Sequence, residues 1–263
     1  MLRRRLRLAA HFLGAAAGVG SVALTLHAES EPVGCARTIP DTLARTLYWQ
    51  LKRHTPLGSA AIPYRVEHVN VDFMTKVMRH ASPRELAACC SGPTRDLVLQ
   101  RVPVVTKVAT TPMGSGAGFA STMCRAEVTV EGSPTPIRLV VKMAPGDFES
   151  SLLFRLIRSG ETEAEFYRSS VTEEAQLNTP GHLYVDHDRT SDQFVLVQRD
   201  VSPLTTASQA NGATVEQAKK VLVELAKLNG CFFNNTDRLR CVSAARVSLS
   251  VFVSVARVSL PPP

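Results

Sequence analysis

The amino-acid sequence predicts an α+β fold, in which consecutive strands are flanked by helices. Two β-branched runs, Thr122–Val130 and Ile137–Met143, are separated by the Gly- and Pro-containing turn Gly132–Pro136, which is typical of neighbouring strands. Val71–His80 carries apolar residues at helical spacing instead. The chain of 263 residues is 44% apolar, which is enough for a sizeable core in one or two domains.

The elements follow in an order that suggests four regions. We expect a targeting segment over residues 1–28, a helical lead-in over 29–96, the α+β unit over 97–237 and a low-complexity, disordered tail over 238–263. The lead-in holds two predicted helices, Thr42–Arg53, with Leu43, Leu47, Tyr48 and Leu51 on one face, and Val71–His80, with Phe73 and Val77 in the core. The predicted strands of the α+β unit are Leu97–Ala109 (broken by Pro103), Thr122–Val130, Ile137–Met143, His182–Asp186 and Gln193–Gln198.

Two further helices are predicted in the α+β unit. One covers Glu161–Val171. The other begins at the capping box formed by Thr214 and Gln217, carries Ala218, Val221, Leu222 and Leu225 on one face, and stops at Gly230.

The net charge of +7 belongs to the two ends of the chain. Residues 1–28 and residues 238–263 each contain four arginines and no acidic residue. Removing these eight from the 30 basic residues leaves 22 against 23 acidic ones, so a nucleic-acid-binding core is excluded. The acid-free start is compatible with a mitochondrial presequence, a secretory signal, a membrane anchor or no targeting role, and these alternatives stay open. A membrane contact through residues 1–28 is also open.

Two other sequence patterns concern the redox compartment of the protein and the nature of its C-terminal tail. The six cysteines are scattered without a CxxC pair, which favours free thiols in a reducing compartment over a metal site. In the tail, Ala245–Leu249 recurs as Ala256–Leu260, and this biased composition suggests a segment that does not belong to the fold.

Three sequence features could together hold a nucleotide. Gly114, Gly116 and Gly118 form a turn whose backbone amides can approach phosphate oxygens. Lys142 closes an apolar strand and can reach two phosphates if a carboxylate fixes its side chain. Glu163 is the best candidate for that carboxylate, because it lies on the following helix four residues before Tyr167.

The linker after the last predicted strand completes this set. It runs from Arg199 to Pro203, and main-chain groups at Arg199 and Val201 could pair with the edge of an adenine ring.

The collinear set resembles the aminoglycoside/choline phosphotransferase superfamily, and is most similar to its ecdysteroid-kinase-like (CHK kinase-like) branch. The similarity spans roughly residues 97–235. The stretches that carry it are Met113–Gly116, Arg138–Pro145, Glu163–Arg168, Asn178–Pro180, Phe194–Asp200, Gln209–Ala218 and Leu225–Gly230. Asn229 departs from the family, which usually has histidine at that position.

The resemblance implies a protein-kinase-like N-lobe, with an antiparallel sheet of about five strands and a C-helix, followed by the start of a helical lobe. ATP would be the cofactor, with Mg²⁺ expected for the family and a small hydroxylated molecule as substrate of a full-length form. The family's His-Gly-Asp catalytic loop and later metal-binding aspartate have no counterpart in the sequence. We therefore predict no catalytic residue and no metal ligand, and expect this truncated chain to be inactive.

Two alternatives remain open. The chain could be a non-catalytic interaction or regulatory protein that reuses the kinase N-lobe. It could also be a generic α+β domain whose likeness to the family is due to chance.

Overall fold

The computed structural model describes residues 42–43, 46–47, 49–50, 62–113, 121–169, 171–188, 191–202 and 213–233. The leader, the tail and the three glycines of the predicted phosphate turn lie outside these residues. After the helical residues among 42–50 and a 3-10 turn at Val66–His68, the α-helices are α1 (Val71–His80), α2 (Pro83–Ala88), α3 (Gly92–Gln100), α4 (Phe148–Leu156), α5 (Ser159–Arg168), α6 (Val171–Glu174) and α7 (Val215–Phe232). The described strands are β1 (Val105–Pro112), β2 (Thr122–Val130), β3 (Ile137–Met143), β4 (His182–Asp188) and β5 (Gln193–Arg199).

The five strands form one antiparallel sheet in the order β1-β2-β3-β5-β4. The first three strands form a meander, because each pairs with the next along the chain. After β3 the chain passes through α4, α5 and α6, reaches the sheet edge as β4 and returns as β5 beside β3. The expectation of an α+β fold with a five-stranded antiparallel sheet is therefore confirmed.

The two faces of the sheet have different partners. The lead-in helices α1, α2 and α3 cover one face, where alternate strand residues such as Val128, Leu139 and Val197 are buried with Met74 and Val77. The opposite face, here called the site face, carries Lys142, Val140, Arg125 and Gln198. Over β5, this face packs on α4, α5 and α7 in a second core. The side chains of the second core include Phe154, Ala164, Tyr167, Phe194, Leu196 and Leu228.

The predicted strand Leu97–Ala109 is wrong over its first half. Leu97 to Gln100 end helix α3, which spans the predicted region boundary at residue 96, and the strand begins only at Val105. Thr94 and Val98 are buried one helical turn apart, and the Thr94 hydroxyl lies 2.7 Å from the Thr135 hydroxyl. Docking of this helix on the β2–β3 turn therefore outweighs the strand tendency of a valine- and leucine-rich run.

The lead-in also departs from prediction in its first helix. The described residues among 42–50 are helical, but Leu47 is 49% exposed whereas Thr42, Thr46 and Trp49 are buried. The Thr46 hydroxyl donates to the Thr42 carbonyl oxygen at 2.7 Å, so its polarity is satisfied inside the helix. The buried face is thus the threonine–tryptophan face rather than the predicted leucine face. Tyr48 and Leu51, also predicted on that face, lie outside the described residues.

Most other elements match the predictions closely. Strands β2 and β3 have the predicted bounds, and the predicted helix Glu161–Val171 is observed as α5, Ser159–Arg168. Helix α4 was not predicted from the sequence, and it begins where the Asp147 carboxylate accepts the Ser150 N–H at 2.7 Å. Within the described residues, no helix is both long enough and apolar enough to cross a membrane.

Helix α7 starts at the predicted capping box and ends two residues beyond the predicted stop. Thr214 and Gln217 exchange both hydrogen bonds of the box. The predicted apolar face is wrong, because Ala218 and Leu222 are exposed and Val221 and Leu225 are only half-buried. The apolar residues of α7 that enter the second core are Leu228 and Phe232.

A buried carboxylate joins α7 to the loop that precedes β4. Glu224 accepts hydrogen bonds from the Asn178 N–H at 3.0 Å, the Asn178 side-chain amide at 2.9 Å and Lys227 Nζ at 2.8 Å. Burial alone would raise the pKa of Glu224, but the hydrogen bonds from Lys227 and Asn178 outweigh it and lower this pKa below 4.5. The ionised form is therefore the one that the fold stabilises.

This lowered pKa predicts a pH-dependent contribution to stability. The contribution of Glu224 should be complete above about pH 4.5 and should be lost as the pH falls through the lower pKa of the folded state. We expect Glu224→Gln to reduce the loss of stability on acidification, as measured by urea denaturation between pH 3 and pH 6. Glu131→Gln, in the exposed β2–β3 turn, is the matched control and should keep the original pH profile. Equal profiles for both variants would contradict the assignment.

Candidate functional site

Lys142 lies near the end of the central strand β3 and points to the site face. Its neighbours Val141 and Met143 point to the opposite face and are fully buried. The strand is paired on both sides, with Met123 of β2 and Leu196 of β5 opposite Lys142. The main chain that presents the lysine is therefore held by two ladders of hydrogen bonds.

The lysine is paired with the predicted carboxylate. Nζ of Lys142 donates to Oε1 of Glu163 at 2.8 Å and to Oε2 at 2.7 Å. The side chain of Glu163 is 0% exposed and that of Lys142 is 11% exposed. A carboxylate so buried must be paired to remain charged. The pair thus fixes the lysine side chain while leaving a small part of it accessible.

A glycine lets the helix approach closely enough for this contact. Gly160 lies in the first turn of α5, where a Cβ atom would come within 2.8 Å of Phe154 Cε1 and 2.9 Å of Phe194 Cβ. No other residue type fits that space without a shift of the helix or the strand. No sequence pattern indicated this role, because a glycine inside a helical segment has several explanations.

The same helix also contacts the end of β5. Nε2 of Gln198 donates to the Tyr167 hydroxyl at 2.8 Å, and both side chains are buried. Gln198 is the last buried residue of β5 before the linker. Two contacts therefore position α5: that of Glu163 with Lys142, and that of Tyr167 with Gln198 just before the linker.

The linker residues are held by a contact that sequence reasoning missed. Arg125 of β2 donates through Nε to Oδ2 of Asp200 at 2.8 Å, and the Asp200 side chain is 3% exposed. Arg199, a predicted site residue, has an exposed side chain, and its N–H donates to the Gly181 carbonyl oxygen at 3.3 Å. Val201, the other predicted linker residue, is half-buried. Arg125 and Asp200 are 75 positions apart in the sequence, which explains why no local pattern indicated their contact.

The register of the sheet arranges these groups along the site face. Arg125, Val140 and Gln198 lie directly opposite one another on β2, β3 and β5, and Lys142 lies two residues along from Val140. Val140 is half-buried. An apolar surface at Val140 therefore lies between a charged pair at Lys142 and a second charged pair at Asp200.

Gly114, Gly116 and Gly118 lie outside the described residues, and the last described residue before them is Met113, directly after β1. The N–H of Met113 donates to the Met123 carbonyl oxygen at 3.0 Å, and Met123 is the cross-strand partner of Lys142. Met113 is therefore level with Lys142 in the sheet, with β2 between them. In the described part of the chain, no three His, Cys, Asp or Glu residues form a group that could hold a metal ion.

Comparisons of the chain with protein-family models, with curated proteins and with solved structures find no match.

Proposed function

We propose that the sheet and helix α5 form the nucleotide-binding lobe of an ATP-dependent small-molecule kinase. The lobe would belong to the aminoglycoside/choline phosphotransferase superfamily, in its ecdysteroid-kinase-like branch. The observation that carries the proposal is the buried pair between Lys142 of the central strand and Glu163 of the following helix. Kinase-like folds use a strand lysine in such a pair to hold nucleotide phosphates.

Further support comes from the surroundings of the pair. Two residues along β3 from Lys142, the site face offers the half-buried apolar side chain of Val140. Met113, the last described residue before the glycine segment, is level with Lys142 across β2. A nucleotide could place its base over Val140 and its phosphates at Lys142. In this arrangement Glu163 keeps the ammonium group of Lys142 charged and oriented. The backbone N–H groups of Gly114, Gly116 and Gly118 would donate hydrogen bonds to phosphate oxygens.

The linker would supply the contacts to the base. The Arg199 carbonyl oxygen and the Val201 N–H are the main-chain groups proposed to pair with the adenine edge. The family implies Mg²⁺, but the described residues do not form a magnesium site, and we assign no step to a metal. Transfer of the phosphoryl group to a hydroxyl of a small molecule is proposed from the resemblance alone.

Calorimetric titration of the purified chain with ATP tests this proposal. The variant Lys142→Met/Glu163→Leu removes both members of the pair and so leaves no buried charge without a partner. We expect it to bind ATP at least about tenfold more weakly, because charge-assisted contacts to the phosphates are lost. Lys107→Met, on an exposed position of β1, removes the same charge and should bind ATP normally. Equal ATP affinities for the two variants would refute the role of Lys142.

A second candidate function is a non-catalytic interaction protein built on the same lobe. It is favoured by the exposed apolar residues of α7, where Leu222 is 58% and Val223 is 56% exposed. A chain of this kind could keep the lobe without using a nucleotide. If the unsubstituted chain shows no affinity for ATP in the titration above, this second reading replaces the first.

A further inference from the structure

We infer that the Arg125–Asp200 ion pair positions the linker for the nucleotide base, so that it controls base affinity without contacting the base. The inference rests on the proposed nucleotide site and adds a positioning role to residues outside its predicted set. It starts from the place of the pair in the sheet. Arg125 belongs to β2 and Asp200 follows β5, and β3 lies between those two strands.

The ion pair therefore spans the site face. Arg125 stands opposite Val140, and the Asp200 N–H donates to the carbonyl oxygen of Arg138 at 3.2 Å. The arginine side chain must cross β3 near Val140 to reach the carboxylate. It thus borders the apolar surface on which the base is proposed to lie, at the end away from Lys142.

The carboxylate of Asp200 has a second partner within the linker. While Oδ2 accepts from Arg125, Oδ1 accepts the Ser202 N–H at 2.9 Å. A side-chain oxygen that binds the amide two residues later closes a turn around the residue between them. That residue is Val201, and in the part of the chain that the structure describes its N–H has no main-chain partner.

The chain of contacts gives Asp200 its role. Arg125 fixes the carboxylate and the carboxylate fixes the turn, in which no main-chain group among the described residues accepts the Val201 N–H. A linker that is already ordered loses little conformational entropy when it binds a base. The free energy of binding is therefore more favourable than it would be for a disordered linker. The carboxylate itself is almost fully buried and has partners on both oxygens, so a direct contact with the base is not proposed.

A neighbouring ion pair provides the matched control. Nε of Arg138 lies 3.2 Å from Oε1 of Glu127, and these side chains are 65% and 44% exposed. This pair joins the neighbouring strands β2 and β3, and it also consists of one arginine and one carboxylate. Because it does not involve the linker side chains, Arg138→Gln removes one positive charge from the same region without releasing Asp200.

The experiment compares ATP with tripolyphosphate as ligands of the full chain. In Arg125→Gln and Asp200→Ala, we expect affinity for ATP to fall about tenfold, the scale expected when a short segment must be ordered on binding. Affinity for tripolyphosphate, which has no base, should stay unchanged, and Arg138→Gln should bind both ligands normally. Arg125→Lys restores a positive charge and should recover part of the ATP affinity.

Other results would overturn the inference. If ATP and tripolyphosphate affinities fall together, the pair only supports the fold, and if neither falls, the pair has no positioning role. Asp200→Asn, which keeps an acceptor for Ser202, serves if Asp200→Ala does not fold.

Hydrogen exchange at the Val201 and Ser202 amides gives a readout that needs no ligand. It should speed up in Arg125→Gln but not in Arg138→Gln, and equal rates would refute positioning of the linker. If the linker responds in this way but the unsubstituted chain does not bind ATP, the proposed function fails and the use of the linker for a base fails with it.

Discussion

Replacing Lys142 with methionine is expected to lower the free energy of unfolding by about 3–5 kcal/mol, the cost of leaving a buried charge without its partner. Glu163 is fully buried, and both of its side-chain oxygens accept from Lys142. Urea denaturation followed by circular dichroism measures the loss.

Two variants test whether the loss of stability comes from the broken ion pair or from the removal of any lysine. Lys107→Met changes an exposed lysine of β1 and should alter stability by less than about 0.5 kcal/mol. Lys142→Met/Glu163→Leu replaces the whole pair with apolar side chains, and its stability should equal or exceed that of the unsubstituted chain. If the single and double variants unfold at the same urea concentration, the ion pair is not what Lys142 contributes.

Replacing Gly160 with alanine is expected to lower the free energy of unfolding by about 1–3 kcal/mol, the usual cost of overpacking a core. The added methyl group would meet Phe154 Cε1 at 2.8 Å and Phe194 Cβ at 2.9 Å. Helix α5 must then move away from β5. The shift would withdraw Glu163 from Lys142, so ATP affinity should fall together with stability.

Gly230→Ala is the matched control for this substitution. Gly230 lies in helix α7, where an added Cβ atom has no neighbour within 4 Å. Because alanine is the better helix former, this variant should gain up to about 1 kcal/mol in the same denaturation experiment. A loss of stability at Gly230 as large as that at Gly160 would show that crowding is not the cause.

The sequence predicted those parts of the fold that local patterns determine. Strands β2 and β3 have the predicted bounds because a Gly- and Pro-containing turn separates two β-branched runs. The order of a strand lysine and a helix glutamate was enough to predict the contact between Lys142 and Glu163, although not its burial. Helix α3 was missed because burial of Thr94 and Val98 depends on the distant β2–β3 turn.

The less predictable parts of the site depend on tertiary contacts. Arg125 and Asp200 are far apart in sequence, and neither belongs to a motif that would pair them. Gly160 acts through its closeness to two phenylalanines, one of which lies on β5. The roles of Gly114, Gly116 and Gly118, and the nucleotide itself, stay predictions from the sequence and its resemblance.

The strand order has a consequence for how the protein folds. The meander β1-β2-β3 and the β4–β5 hairpin pair strands that are close in sequence. The β3–β5 pairing is long-range, since it brings Leu139 opposite Arg199. Because local contacts close with less loss of chain entropy, both smaller units should form before they join. The Arg125–Asp200 pair spans the junction between β3 and β5, so the proposed nucleotide site would form in the last step of folding.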